Sequence, residues 1–204
     1  EHLNEYTDII ISQTDRLTSL VNNILGPNRK PTFELQNIHI PLENVINLLH
    51  QSLSESGIDL IKDYDPSIPE ISIDIYLLEQ SILNLVNNAK ESLEEGEVFS
   101  PEIRIVTRVL HQEFLGQTQH KAVCRISVTD NGPGIPKDLK DSLFFPMISS
   151  KVTGSGLGLS ITQGIISQHK GIIEYESEPG KTEFSILIPI EHQINDQELR
   201  RANV

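Results

Sequence analysis

The chain has 204 residues, 37% of them hydrophobic and 5% aromatic with no tryptophan, which suits one ordinary domain plus an extra element, built on an aliphatic core. A net charge of −13 argues against nucleic acid or an anionic membrane as the main partner. The single cysteine, Cys124, rules out an internal disulfide, and no apolar run approaches the roughly 18–20 residues of a membrane span. No signal peptide is visible, so a reducing, cytoplasmic setting is the expectation. The chain opens on Glu1 rather than Met and reads as a piece of a longer protein.

Residues 3–25 carry Leu3, Ile10, Leu17 and Ile24 at heptad spacing, with Tyr6, Gln13, Leu20 and Val21 beside them. This is the seam of a long helix, which ends at Gly26-Pro27. Such a stripe needs a partner. Two partners fit: another helix in a hairpin or dimeric bundle, or the domain that follows. The polar break from Gly26 to Pro31 is the best domain boundary. It divides the chain into a bundle helix over 1–27, a catalytic unit over 28–190 and a charged tail over 191–204. After the break come a short strand near Phe33–Ile38, then a helix with Pro41 in its first turn and Leu42, Val45, Leu49 and Leu53 on one face. Ile58–Ile61 reads as a strand and Asp65–Pro69 as a turn.

Asp74 is a plausible N-cap for a helix over 75–93, whose buried face runs Ile75, Leu78, Ile82, Leu85, Val86, Ala89 and Leu93. Ser81, Asn84, Asn88 and Glu91 follow the same period on another face. Asparagine is a poor helix former because its amide competes for backbone bonds. Three asparagines within five positions therefore cost helix propensity. Either they meet water, or the stripe serves a phosphate site where the Asn88 oxygen ligates a hard divalent cation such as Mg²⁺.

Residues 102–110 and 122–128 read as an antiparallel strand pair joined by a polar connection over 111–120. Asp130-Asn131-Gly132-Pro133-Gly134-Ile135-Pro136 follows. It is an ordinary strand-to-loop turn, or a turn that lets backbone approach a flat ring while Asp130 accepts a hydrogen bond from an exocyclic amine such as adenine's. There is no Walker A loop and no dinucleotide fingerprint. Leu143-Phe144-Phe145-Pro146-Met147 is an apolar knot that either anchors a loop in the core or docks on another domain. Gly154, Gly156 and Gly158 stand where a helix begins, so their amides can meet phosphate. Lys151 is the nearest cation, placed to contact a phosphate tail or to remain solvated. A last hairpin turns at Glu178–Lys181, and the Thr182 hydroxyl either reaches the adenine edge or packs within the strand. His111, His120 and His169 show no paired ligand spacing and read as surface or structural residues.

Taken together, these motifs resemble the ATP-binding domain of sensor histidine kinases, in the superfamily shared by DNA gyrase, Hsp90 and MutL. Asn84–Ala89 resembles the N box, Asp130–Ile135 the G1 box, Phe144–Met147 the F box and Gly154–Leu159 the G2 box. Each box alone is weak; four in order make a specific pattern over roughly 70–190. Glu5-Tyr6-Thr7, Asp15-Arg16-Leu17, Leu25-Gly26-Pro27, Asp63–Pro66 and Phe145–Met147 are similar to kinases of the nitrogen-regulation type.

The resemblance implies an α/β two-layer sandwich, with helices on one face of a mixed sheet and a bundle helix before it. It implies Asn88 as the Mg²⁺ ligand and Asp130 as the adenine-reading carboxylate. Gly132 and Gly134 would support the ring, and Gly154, Gly156 and Gly158 would cradle the phosphates. Asn84 stands where gyrase-like ATPases carry a glutamate general base; an amide cannot take a proton from water, so transfer fits better than hydrolysis. The implied activity is ATP-dependent phosphorylation of a histidine, then of an aspartate on a response regulator receiver domain. A homodimer through the helical hairpin and a regulatory protein sensing nitrogen status are the other implied partners. The phosphorylated histidine's box is not found in this sequence, and the helix at 3–25 resembles the second helix of the dimerisation hairpin. The rival reading is a regulatory module that binds nucleotide without productive transfer.

Overall fold

The computed structural model describes residues 30–147 and 156–191. The helix expected over 3–25, Lys151, Gly154 and the tail beyond Glu191 lie outside the described residues.

Chain order gives β1 (Glu34–Gln36), α1 (His39–Glu55), β2 (Asp59–Asp63), β3 (Ile71–Ile73), α2 (Ile75–Glu95), β4 (Glu102–Leu115), β5 (Thr118–Asp130), α3 (Gly158–Gln168), β6 (Ile172–Glu178) and β7 (Lys181–Pro189). Five strands form a mixed sheet in the order β2-β4-β5-β7-β6. β2 runs parallel to β4, and the other neighbours are antiparallel. β1 and β3 make a separate antiparallel pair. The helices cover one face of the sheet. Alternate strand residues Ile103, Ile105, Cys124, Ile126, Val128, Phe184 and Ile186 meet Leu42, Leu78, Ile82, Leu85 and Ile166 in one aliphatic core. This is the two-layer arrangement expected from the sequence. Cys124 is part of that core, and burial pushes its thiol up to about 12, far from reactive.

α2 follows the expected boundaries closely. The Asp74 carboxylate caps it, with Oδ1 accepting from the amides of Tyr76 at 3.1 Å and Leu77 at 3.3 Å. Its Oδ2 accepts from Thr32 N at 2.7 Å, so the same side chain fixes the entering chain. α3 lies antiparallel along the first half of α2. Its start meets Asn84, and its end meets the α2 cap through His169.

His169 is buried, with Nε2 accepting from Asp74 N at 3.1 Å. That leaves the ring proton on Nδ1, which donates to Ile165 O at 2.9 Å. Burial holds this imidazole below its ordinary value of about 6.5. The folded state thus takes up the proton less readily than the unfolded chain. Stability is full above pH 6.5 and falls as pH drops below it, because imidazolium would aim a second donor at Asp74 N–H. Thermal melts between pH 7.5 and 5.5 should show a falling midpoint, and His169→Gln should flatten that slope. His39, also shifted down mainly by burial, contributes in the same direction.

The polar connection expected over 111–120 is instead strand. β4 and β5 pair from Ile103↔Asp130 out to Leu115↔Thr118, closed by a tight turn at Gly116 with φ +62°. The outer part of this ribbon is solvated, so its polar residues carry no alternation. It is pinned by a small cluster of its own, Leu115, Val123 and Leu187. The apolar knot at 143–147 divides. Leu143 and Phe144 pack on the core, Phe144 edge-on to Tyr175 at 6.1 Å, while Phe145 and Met147 are 62% and 76% exposed.

Candidate functional site

α2 organises the site because residues four apart stand above one another on a helix. Asn84, Asn88 and Ser92 form such a line, spanning about 12 Å at 1.5 Å per residue. At one end, Asn84 Nδ2 donates to Gly158 O at 3.1 Å and Thr162 Oγ1 at 3.3 Å. This holds the N-terminus of α3, whose first-turn amides have no intrahelical acceptor, against α2. At the other end, Ser92 borders the glycine turn: a Cβ on Gly132 would lie 2.9 Å from Ser92 Oγ and 2.6 Å from Asp130 Oδ1. One turn beyond Ser92, a Cβ on Gly96 would lie 2.8 Å from Pro133 Cδ. Asn88 sits between these two contacts, half-exposed, and its carboxamide makes no hydrogen bond among the described residues.

Asp130 closes β5 and is buried, with Oδ1 accepting from Gly132 N at 2.9 Å. Its neighbour on β7 is Thr182, directly opposite in the ladder and also buried. Gly134 has φ +86°, and a Cβ there would come within 2.9 Å of the Glu178 carbonyl group. Glycine is thus required twice over, for conformation and for close approach. Gly180 N donates to Gly132 O at 2.9 Å, tying the turn to the β6–β7 hairpin. Asn131 latches its other side: Oδ1 accepts from Glu102 N at 2.8 Å and Nδ2 donates to Ser100 O at 3.0 Å. The turn is therefore tied on both sides by hydrogen bonds.

Of the residues singled out from sequence, the structure gathers Asp130, Gly132, Gly134 and Thr182 at one end of the α2 line and Asn84 and Gly158 at the other, with Asn88 between. Gly156, at φ +63°, has its carbonyl held by Met147 N at 3.0 Å. Asn84, one turn before Asn88 on α2, has its amide nitrogen taken up by Gly158 O and Thr162 Oγ1 at the start of α3. Ser92 and Ser177 were not singled out. Ser92 was recoverable, because it continues the Asn84–Asn88 stripe by one more turn. Ser177, a single hydroxyl on an edge strand, gives no sequence signal.

The opposite, open face of the sheet carries a depression lined by Arg104, Arg108, Arg125, Ser127, Thr129, Lys181 and Glu183. Its cations are engaged: Arg104 with Glu102, Arg108 with Asp63, and both Arg125 and Lys181 with Glu183. It reads as a solvated salt-bridge face. Among the described residues no group of three or more His, Cys, Asp or Glu could hold a metal ion, and no helix is long and apolar enough to cross a membrane.

The helix-flanked mixed sheet and its paired glycine-turn and helix-start ends define an ATPase-type domain. Residues 73–192 match the family of histidine kinase-, DNA gyrase B- and HSP90-like ATPases, and the chain belongs to that family. Within it, the chain is of the histidine kinase catalytic-domain kind. It is 46% identical over 188 residues to the sensory histidine kinase/phosphatase NtrB of Vibrio alginolyticus, a match covering 92% of this chain and 53% of that protein. The chain thus spans about half the length of the curated relatives it matches. Among solved structures, the nucleotide-free catalytic domain of histidine kinase ThkA superposes with a TM-score of 0.66 at 29% identity, covering 78% of this chain and 96% of that one. ThkA in complex with the response regulator protein TrrA gives 0.73 at 27% identity, covering 94% and 52%.

Proposed function

We propose that this chain binds ATP along the α2 line, adenine at the Asp130 end and phosphates at the α3 end. We further propose that it serves as the phosphoryl-donating half of a two-component histidine kinase of the nitrogen-regulation type. The observation that carries the reading is this single axis. A buried carboxylate and a preformed glycine turn stand at one end of it, a helix N-terminus at the other, and an uncommitted carboxamide between them.

Each residue then has a task. Asp130 accepts from the exocyclic amine of the base while its other oxygen keeps the Gly132 amide. Thr182 completes the base edge. Gly132 and Gly134 keep side chains out of the ring's plane. Gly156 and Gly158 are assigned to the phosphate end, and the same role is proposed for Gly154 and Lys151, which lie outside the described residues; there amides and a cation would stabilise the charge that develops as the γ-phosphoryl departs. Asn84 positions α3 and offers no base to activate water. Asn88 fits a hard cation, because its carboxamide oxygen has no partner among the described residues and Mg²⁺ needs few protein ligands when phosphates and waters supply the rest. A bound Mg²⁺ would neutralise phosphate charge there. The acceptor is a histidine nitrogen outside this chain; the N–P bond forms as the bond to the β-phosphate oxygen breaks. An aspartate on a response regulator receiver domain then takes the phosphoryl group. A homodimer through the helical hairpin that includes residues 1–27, and a regulatory protein reporting nitrogen status, complete the proposed assembly.

Calorimetric titration with a non-hydrolysable ATP analogue tests the cation's place. Mg²⁺ should tighten binding to the wild-type chain. Asn88→Ala should still bind the analogue in EDTA but lose the gain from Mg²⁺; a retained gain would remove Asn88 as the ligand. Phosphoryl transfer is tested separately with γ-labelled ATP and the full-length protein, which should form an acid-labile phosphate and pass it to a receiver domain. Nucleotide binding without such a phosphate would leave a regulatory module.

A further inference from the structure

We propose that Ser177 is a positioning residue that fixes the direction of the Thr182 hydroxyl and thereby sets the base preference of the site. The inference rests on the nucleotide reading above and concerns how that site chooses its base.

Ser177 lies on β6, opposite Thr182 on β7, near the end of the sheet where the glycine turn docks. Its Oγ accepts from Ile135 N at 2.8 Å and lies 3.0 Å from Thr182 Oγ1. A hydroxyl has one proton and two acceptor lone pairs. With one lone pair on the Ile135 amide, the arrangement that satisfies Ser177 sends its proton to Thr182. Were Thr182 the donor, the Ser177 proton would have no partner among the described residues. In the proposed arrangement Ser177 donates and Thr182 accepts, one of the two directions the 3.0 Å contact allows, and the Thr182 proton is left to point elsewhere. The backbone here is braced: Lys140 Nζ donates to Ser177 O at 2.7 Å, and Tyr175 OH donates to Lys140 O at 2.9 Å.

Thr182 is the direct cross-strand neighbour of Asp130. A carboxylate, which only accepts, then stands beside a hydroxyl committed to donate. That pair matches an edge on which an amine adjoins an unprotonated ring nitrogen, as in adenine. It mismatches guanine, whose carbonyl adjoins a ring N–H. Without Ser177 the Thr182 rotor is free to accept as readily as to donate, and the discrimination weakens. The Ile135 amide also loses its acceptor.

The test compares ATP with 1-deaza-ATP, which lacks the ring nitrogen, in binding to the wild-type chain, Ser177→Ala and Ser177→Thr. The wild type should favour ATP by up to about tenfold, the usual worth of one hydrogen bond. Ser177→Ala should weaken ATP binding and bring the two nucleotides nearly level. Ser177→Thr, which keeps the hydroxyl, should restore the preference. A purely structural role would weaken both nucleotides equally and leave their ratio unchanged; that result overturns the role of Ser177 while leaving the nucleotide site standing. A wild type that binds ATP and 1-deaza-ATP alike overturns it as well. Failure of the folded wild type to bind either nucleotide would overturn the ATP reading itself.

Discussion

Asp130→Asn should lower the affinity for a non-hydrolysable ATP analogue by about 10- to 100-fold, the worth of a hydrogen bond to a charged group at about 1.5–3 kcal/mol. The substitution is nearly isosteric and leaves Oδ1 able to accept from Gly132 N, the contact held at 2.9 Å in the wild type. Only the second atom of the group changes, from acceptor oxygen to NH₂. An amine on the base would then meet a donor, in a buried position where water cannot repair the mismatch. Calorimetry gives the affinity, and a melting curve shows whether the turn survives. A large loss of affinity in a variant that still melts cooperatively is the expected pair of results. Unchanged affinity would remove Asp130 from base recognition.

Gly134→Ala should destabilise the domain by at least about 2 kcal/mol, a drop in melting temperature of about 4–8 °C for a domain of this size. Two causes add. The residue sits at φ +86°, where any side chain is strained, and the new methyl carbon would stand 2.9 Å from the carbonyl carbon and oxygen of Glu178. Gly57 separates them. It has φ +66° with nothing within 4 Å of an added Cβ, so Gly57→Ala reports the conformational cost alone. The difference between the two variants measures the close approach of the glycine turn to the β6–β7 hairpin. If Gly134→Ala costs no more than Gly57→Ala, the turn is not held against the hairpin as described. Nucleotide affinity should fall in Gly134→Ala as well, since the same turn carries Gly132 beside Asp130.

These positions were legible before the fold was known because each breaks a local rule. Asparagines in a helix interior and glycines at a strand end work against propensity, and the structure returns the reason: a helix line joined to α3 at one end and to a hydrogen-bonded turn at the other. The Asp74 cap and the buried face of α2 were equally plain, since capping and 3.6-residue periodicity are written locally. The outer β4–β5 ribbon was not legible. Apart from Leu115, its residues are exposed or half-exposed, so no alternation marks 111–120 as strand, and the small Leu115, Val123, Leu187 cluster holds it. Ser177 was invisible for a different reason. A hydroxyl on a strand is unremarkable until the backbone brings the Ile135 amide and Thr182 to it. The apolar knot illustrates a third limit, because composition could not divide half-buried Phe144 from exposed Phe145.

The central claim is that one nucleotide lies along α2 from Asp130 to Gly158. The most direct measurement is an amide-resolved NMR titration of the chain with a non-hydrolysable ATP analogue. The account predicts two groups of saturable shifts with one affinity, at Ser92 and Asp130–Ile135 and at Asn84 and Gly158, with Asn88 between them responding to Mg²⁺. No shifts in the folded chain, or shifts confined to the open sheet face around Arg108 and Arg125, would contradict it.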